Sequence, residues 1–132
     1  DKVTNMSEMF RNCNKFNQST NFNTNEVINM HMMFKGCESF DQSIDFNTEN
    51  VTTMNMMFKE CTMLDSKINL EGIIKLKSCV GMFEKCNNLS VENIISFMDS
   101  LNIKDESLLN STKYPKLDIV KERLKEDYDE LE

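Results

Sequence analysis

The sequence predicts an α/β solenoid of about four stacked units. A phrase of the form V-x-x-M-x-x-M-F-x-x-C-x-x-F begins at Val3, recurs at Val27 and Val51, and returns in a looser form at Leu76. These starting points give steps of 24, 24 and 25 residues, which is the size of one supersecondary unit in a repeat protein. A unit of this size cannot bury its apolar side alone, so we expect neighbouring units to stack.

Residues 40–64 show how one unit is expected to fold. Apolar and polar residues alternate toward the end of 40–46, as in a half-buried strand. The segment 47–50 is typical of a turn, in which Thr48 or Asn50 can cap a following helix. From Val51 the apolar residues lie at +3, +6, +7 and +10, a spacing that indicates one face of a short helix.

Stacking of the units would align equivalent side chains in columns. The predicted columns are Phe10, Phe34, Phe58 and Phe83, then Thr20, Ile44 and Ile68, then Phe22, Phe46 and Leu70. The methionines of the phrase lie on the same apolar side, where their flexible side chains pack well against phenylalanine. A copper(I) site or a promiscuous binding surface is the alternative for such a stripe, because thioethers are soft ligands. The recurrence of Met on the apolar side of every unit favours the core.

The 132 residues are expected to form one domain with two parts. Residues 1–89 form the solenoid, and residues 90–132 form a C-terminal capping segment. In that segment Ser90 can cap a helix that runs through Leu101, and the segment 107–110 is typical of a final short strand.

A charged amphipathic helix is predicted from Lys116 to Leu131. Its apolar positions Leu117, Val120 and Leu124 would close the open end of the solenoid, which is the usual role of an atypical terminal unit. The alternative is that this helix binds a partner.

The charge and the chain start restrict the class of protein. The net charge of −7 disfavours nucleic acid and anionic membranes as partners, because an acidic surface repels phosphate groups. No apolar run approaches the roughly 18 residues that cross a bilayer, so direct membrane insertion is not expected. Asp1 lies directly inside a repeat, which indicates a removed leader or a fragment. We favour a fragment, because an uncapped first unit would expose its end.

Four of the five cysteines occupy one position of the phrase: Cys13, Cys37, Cys61 and Cys86. A single-file ladder does not converge on one point, as zinc ligands must. Adjacent units would lie about 5 Å apart, which allows disulfides between units. Free cysteine nevertheless behaves as a small buried hydrophobe. We therefore predict that the central thiols, Cys37 and Cys61, are free and buried.

No enzyme, metal or cofactor site is predicted. His31 is the only histidine, and its place between inward-facing positions predicts an exposed side chain that cannot reach Cys37. The chain carries no phosphate loop, dinucleotide fingerprint or nucleophile elbow. Asp41, Asp45 and Asp65 could bind calcium weakly, but their spacing is not that of an EF-hand, and solvated strand carboxylates are the favoured interpretation.

The repeated phrase resembles that of a known family. The stretch 50–58, NVTTMNMMF, is preceded by Phe46-Asn47-Thr48, and the segments 3–6 and 26–30 follow the same pattern. This N-V-x-x-M-x-x-M-F segment resembles the repeat of BspA-like bacterial leucine-rich repeat surface proteins over about residues 1–89. The fourth copy departs from the pattern at 75–79, and phenylalanine stands where the family often has tryptophan. The resemblance implies a right-handed solenoid of the leucine-rich-repeat type on a cell surface, linked to adhesion.

Outward strand positions give a candidate binding face for a protein partner such as a host surface or matrix protein, since solenoids bind through extended faces. Its residues are Asn21, Asn23, Ser43, Asp45, Asn47, Lys67, Asn69 and Glu71. These side chains are polar and include no aromatic anchor, so a merely solvated face is an equal alternative. We therefore predict a non-catalytic binding or adhesion module, cell-surface or secreted. The alternatives are a structural spacer that displays another domain, or a cytoplasmic adaptor. The oligomeric state is left open.

Overall fold

The computed structural model describes residues 2–101 and 111–130. Within them are two strands, β1 (Ile44–Asn47) and β2 (Ile68–Glu71), followed by two helices, α1 (Val91–Leu101) and α2 (Leu117–Glu130). The strands pair in parallel, with Ile44 opposite Ile68 and Phe46 opposite Leu70. This register confirms the alignment predicted for these two pairs. The predicted strand at 107–110 lies outside the described residues.

The predicted fold class is wrong. We expected an α/β solenoid of leucine-rich-repeat type, right-handed, with about four units of 24–25 residues and a helical C-terminal cap. The described residues instead contain one parallel pair of short strands, and both of their helices follow the copies of the phrase. No described copy of the phrase contains a helix.

Each copy of the phrase forms consecutive turns in place of the predicted helix. In the second copy, the amides of Met33, Lys35 and Cys37 donate to carbonyls three residues earlier, at 3.3, 3.2 and 3.0 Å. Within these turns, Met32 has φ 56° and Gly36 has φ 78°. Left-handed residues interrupt a right-handed helix, because its backbone requires negative φ throughout. The equivalent residues in the other copies are also left-handed: Glu8 and Asn12, Met56 and Glu60, and Gly81 and Lys85.

Alternate amides of the second copy, from Met30 to Gly36, bond to the third copy. Met30 donates to the carbonyl of Thr53 at 3.1 Å, and Phe34 donates to the carbonyl of Met57 at 2.8 Å. The first copy bonds to the second in the same way, and the third bonds to the fourth. Isolated parallel bridges join Asn5 to Asn29, Asn29 to Thr53, and Thr53 to Ser78. Successive copies of the phrase therefore lie side by side in parallel register.

The core lies along the predicted phenylalanine column. The rings of Phe10, Phe34, Phe58 and Phe83 stack with successive centroid distances of 5.5, 5.4 and 5.5 Å. At the C-terminal end, Tyr114 stacks on Phe83 at 5.5 Å. The column of aromatic rings therefore runs without a break from Phe10 to Tyr114, which lies three residues before α2.

Both described helices agree with predicted ones. The amide of Asn93 donates to the Ser90 hydroxyl at 3.2 Å, so Ser90 caps α1 as expected. Helix α1 packs against β2 and against α2, in which Val120 is fully buried. Neither of these described helices is long and apolar enough to cross a membrane.

Candidate binding surface

The strands β1 and β2 place six of the eight predicted face residues side by side. Ile44 and Ile68 point into the core, being at most 4% exposed, so the intervening side chains point outward. Asp45 pairs in register with Asn69, and Asn47 with Glu71. Ser43 and Lys67 directly precede the two strands and are exposed. Ser43, Asp45, Lys67 and Asn69 line a shallow depression of about 240 Å³. We call the six residues the strand face: Ser43, Asp45, Asn47, Lys67, Asn69 and Glu71.

The strand face combines hydrogen-bonded polar side chains with charged groups that form no ion pair among the described residues. The Asn69 amide group donates to the Asp45 carboxylate at 3.1 Å, which holds both side chains in place. Lys67 and Glu71 are exposed, and neither forms an ion pair within residues 2–101 and 111–130. The strand face therefore presents an ammonium and a carboxylate to solvent on a firmly packed backing.

Asn21 and Asn23, the other two residues of the predicted face, lie outside the strands. Residues 19–23 form no strand, although the alternation of residues there resembles that of β1. Asn21 and Asn23 instead line a larger depression of about 650 Å³, together with Val3, Met9 and Phe22. No sequence motif marks this second surface, because an exposed residue of the phrase has the same surrounding pattern as its buried equivalents.

A second ladder of hydrogen bonds uses the acidic residues considered for calcium. Asn17 Oδ1 accepts the amide of Asp41, Asp41 Oδ1 accepts the amide of Asp65, and Asp65 Oδ1 accepts the amide of Ser90, each at 2.9 Å. The amide of Ser90, followed by the Asn93 side chain, lowers the pKa of Asp65 because both bonds stabilise the ionised carboxylate. These oxygens thus link neighbouring copies. No group of three or more metal-binding side chains occurs in the part of the chain that the structure describes.

The cysteine position of the phrase is a hydrogen-bond donor. The thiols of Cys37, Cys61 and Cys86 donate to the carbonyls of Phe10, Phe34 and Phe58, at 3.0, 3.1 and 2.9 Å. Burial raises the pKa of Cys37 to about 11 and that of Cys86 to about 12, and burial also raises the pKa of Cys61. These thiols are therefore protonated at neutral pH and poor nucleophiles. The burial predicted for Cys37 and Cys61 is confirmed.

The structure also places His31 and the methionines of the phrase. His31 is half-buried rather than exposed; its amide donates to Asn29 Oδ1 and its carbonyl accepts the amide of Glu8. At the two Met positions of the phrase, Met30, Met33, Met54, Met57 and Met82 are fully buried, as expected for core residues, and Met6 is 7% exposed. Met9 is the exception, with 48% of its surface exposed.

The sequence comparison identifies the family. The model of the family described as Mycoplasma protein of unknown function, DUF285, matches residues 1–97. The chain belongs to this family. The DUF285 match contains all four copies of the phrase and α1 as far as Phe97, whereas α2 lies beyond it. Comparisons with curated proteins and with solved structures give no match.

Proposed function

We propose that this DUF285 chain is a non-catalytic protein-binding module of the adhesion type, displayed on a cell surface or secreted. Membership of DUF285 together with the resemblance of the phrase to BspA-like surface proteins supports this assignment. The observation that carries the proposal is the strand face. Lys67 and Glu71 are exposed without an ion pair among the described residues, and the strands that carry this face have buried residues on their other side.

The strand face suits recognition of another folded protein. A rigid backing reduces the entropy that binding costs, because the side chains start from few conformations. Asp45 lies on β1, Glu71 lies on β2 and Lys67 directly precedes β2, so charges of both signs lie close together on this face. Charges of this kind steer encounter and fix orientation more than they add raw affinity. The partner is therefore a protein with a complementary mixed-charge patch, such as a host surface or matrix protein.

The chemistry of the described side chains supports a binding role over catalysis. Cys37, Cys61 and Cys86 are buried, and their thiols are bonded to carbonyls. The strand face offers hydrogen-bonding and charged groups without a base held next to a nucleophile, which covalent catalysis requires.

The test uses charge reversal on the strand face. The double variant Asp45→Lys/Glu71→Lys and the parent chain are compared for binding to a panel of immobilised purified host matrix proteins. We expect the variant to lose at least about tenfold in affinity, equivalent to about 1.4 kcal/mol. The matched control, Glu38→Lys/Glu126→Lys, makes the same charge change at exposed sites outside the strand face and should bind like the parent.

Circular dichroism verifies that all three proteins are folded. If the parent binds and both double variants weaken this binding equally, the effect is a nonspecific one of charge. That result would contradict a binding site at the strand face. Absence of any binding by the parent would favour the structural spacer.

A further inference from the structure

The loop that follows β2 carries an isoleucine on its outside. Ile74 is 81% exposed, whereas the other large apolar side chains that are exposed in the described ranges have values of 45–55%. A single exposed apolar residue is ordinary on a protein surface. Whether Ile74 has a role therefore depends on its place in the repeat, on how firmly it is held, and on what lies beside it.

The earlier copies have polar residues at the place of Ile74. The segment that leads into the phrase reads TNEV at 24–27 and TENV at 48–51, but GIIKL at 72–76. The fourth copy thus has one extra residue here, and an isoleucine pair stands where the other copies have asparagine and glutamate. Turns favour polar residues and glycine, so an apolar pair in this loop is unexpected from local structure alone.

Hydrogen bonds hold the loop 72–76 against the preceding copy. Lys75 Nζ donates to Asn50 Oδ1 at 2.8 Å. Directly after the loop, the amide of Lys77 donates to the carbonyl of Thr52 at 2.8 Å. The loop is therefore tied to the third copy near its C-terminal end.

Packing holds the same loop from the inside. Ile73 and Leu76 are partly buried and pack against the hydrophobic core. Ile74 lies between these two residues in the chain and points away from the core, as its exposure shows. A side chain that is presented from a fixed backbone loses little conformational entropy when a partner binds it.

Ile74 lies beside the strand face. Glu71 is the last residue of β2 and belongs to the strand face, and Gly72 then turns the chain with φ 70°. Three residues separate Glu71 from Ile74, so their Cα atoms are at most about 11 Å apart. The strand face itself is polar, whereas protein interfaces usually bind through a few buried anchors that a polar rim surrounds.

We propose that Ile74 is the apolar anchor with which the strand face holds its protein partner, an inference that rests on the proposed function. The partner would present an apolar pocket that receives Ile74. Exposed side chains of both signs flank Ile74 in the chain, with Glu71 before it and Lys75 and Lys77 after it. The pocket would therefore be bordered by charged groups of both signs, which continues the mixed-charge patch expected opposite the strand face.

The surroundings of Ile74 favour a protein over a lipid surface. Stable attachment to a membrane usually needs a second signal besides one apolar group, such as a polybasic patch. Here Glu71 precedes the loop, and Glu49 lies against it, since a Cβ at Gly72 would be 3.5 Å from the Cβ of Glu49. These carboxylates offset Lys75 and Lys77, so the loop offers no net positive charge to anionic lipids.

The test compares Ile74→Ser with the parent chain for binding to immobilised host matrix proteins: fibronectin, laminin and collagen. We expect Ile74→Ser to lose at least about tenfold in affinity, because it removes an apolar side chain that binding would bury. Ile74→Leu keeps a similar apolar area and should bind within about threefold of the parent.

The matched control is Ile119→Ser, which makes the same change at an isoleucine that is 53% exposed on α2. It should bind like the parent. Because both isoleucines are exposed, neither substitution to serine should unfold the chain, and circular dichroism verifies this.

The outcomes separate the anchor from the proposed function. Full binding by Ile74→Ser, together with loss of binding on charge reversal at Asp45 and Glu71, would overturn the anchor and leave the proposed function standing. Binding of the parent to none of the matrix proteins would overturn both. An equal loss in Ile74→Leu and Ile74→Ser would overturn the anchor, because apolar area would then not be the property recognised.

Two further measurements test the other occupants. Binding of the parent to phosphatidylserine vesicles that Ile74→Ser abolishes would make a lipid surface the occupant. Self-association of the parent, seen by sedimentation and abolished by Ile74→Ser, would make it a second molecule of the chain. Either result would overturn the proposal, which predicts a monomer that leaves such vesicles unbound.

Discussion

The Cys61 thiol donates a 3.1 Å hydrogen bond to the carbonyl of Phe34, which lies 27 residues earlier in the chain. The same carbonyl accepts the amide of Cys37 at 3.0 Å, so one oxygen serves a turn within its own copy and a contact with the next. Cysteine suits this position because it is small, apolar enough to be buried, and still a donor. The recurrence of cysteine in the phrase thus has a structural explanation that involves no reaction.

Thiol labelling tests this explanation. In the native protein we expect Cys13 alone to react rapidly, because it is exposed while Cys37, Cys61, Cys79 and Cys86 are buried. The four buried thiols should react only in denaturant or at the rate of unfolding. Mass mapping after short labelling identifies the modified residue. Rapid native labelling of any second cysteine would contradict the burial.

Alkaline pH should weaken the fold through the same thiols. Their pKa rises from 9.0 to about 11 in Cys37 and to about 12 in Cys86. A raised folded pKa means that the stabilisation is complete below pH 9 and is lost as pH rises through 11 to 12. The free energy of unfolding should fall by about 1.4 kcal/mol per pH unit for each thiol that ionises only when unfolded.

Urea titrations at several pH values measure this dependence. In Cys86→Ser the hydroxyl can still donate but does not titrate in this range, so the slope above pH 9 should decrease by about one proton. A slope identical to that of the parent chain would contradict the assignment to Cys86.

Two buried threonines, Thr20 and Thr48, give stability predictions of opposite sign. Thr20 is 5% exposed and its hydroxyl has no hydrogen-bond partner among the described residues, whereas the Thr48 hydroxyl donates to the Glu71 carbonyl at 2.9 Å. Thr20→Val should raise the free energy of unfolding by about 1 kcal/mol, because it removes an unsatisfied buried group. Thr48→Val should lower it by about 1 kcal/mol. Urea denaturation measures both, and destabilisation by Thr20→Val would show that its hydroxyl has a partner.

The phenylalanine column should dominate the stability of the repeats. Phe58 is fully buried between Phe34 and Phe83, so Phe58→Ala should cost about 3–5 kcal/mol. Phe10→Ala, at the half-buried end of the same column, should cost clearly less. Chemical denaturation of the two variants compares them. A loss below about 1 kcal/mol for Phe58→Ala would mean that the column is not the core.

The sequence predicted the packing of this protein better than its backbone. Any backbone that repeats every 24 residues in register aligns Phe34 with Phe58, so the column could be inferred without the correct local structure. The turns could not be inferred, because apolar residues three apart fit both a helix face and a run of three-residue turns. Left-handed backbone at Met32 and Met56 carries no composition signal, since only glycine or asparagine would have indicated it.

The candidate binding surface could also be predicted only in part from the sequence. The outward positions of β1 and β2 follow from alternation, so Asp45 and Asn69 could be paired from the sequence alone. Asn21 could not be placed, because residues 19–23 show similar alternation but have no strand.

In the first three copies, alternate amides bond to the following copy rather than within a helix. Scalar coupling across hydrogen bonds, measured by NMR on isotope-labelled protein, tests it most directly. We expect a coupling between the amide nitrogen of Phe34 and the carbonyl carbon of Met57, whose oxygen lies 2.8 Å from that nitrogen. A coupling from Phe34 to the carbonyl carbon of Met30, as in an α-helix, would contradict the claim.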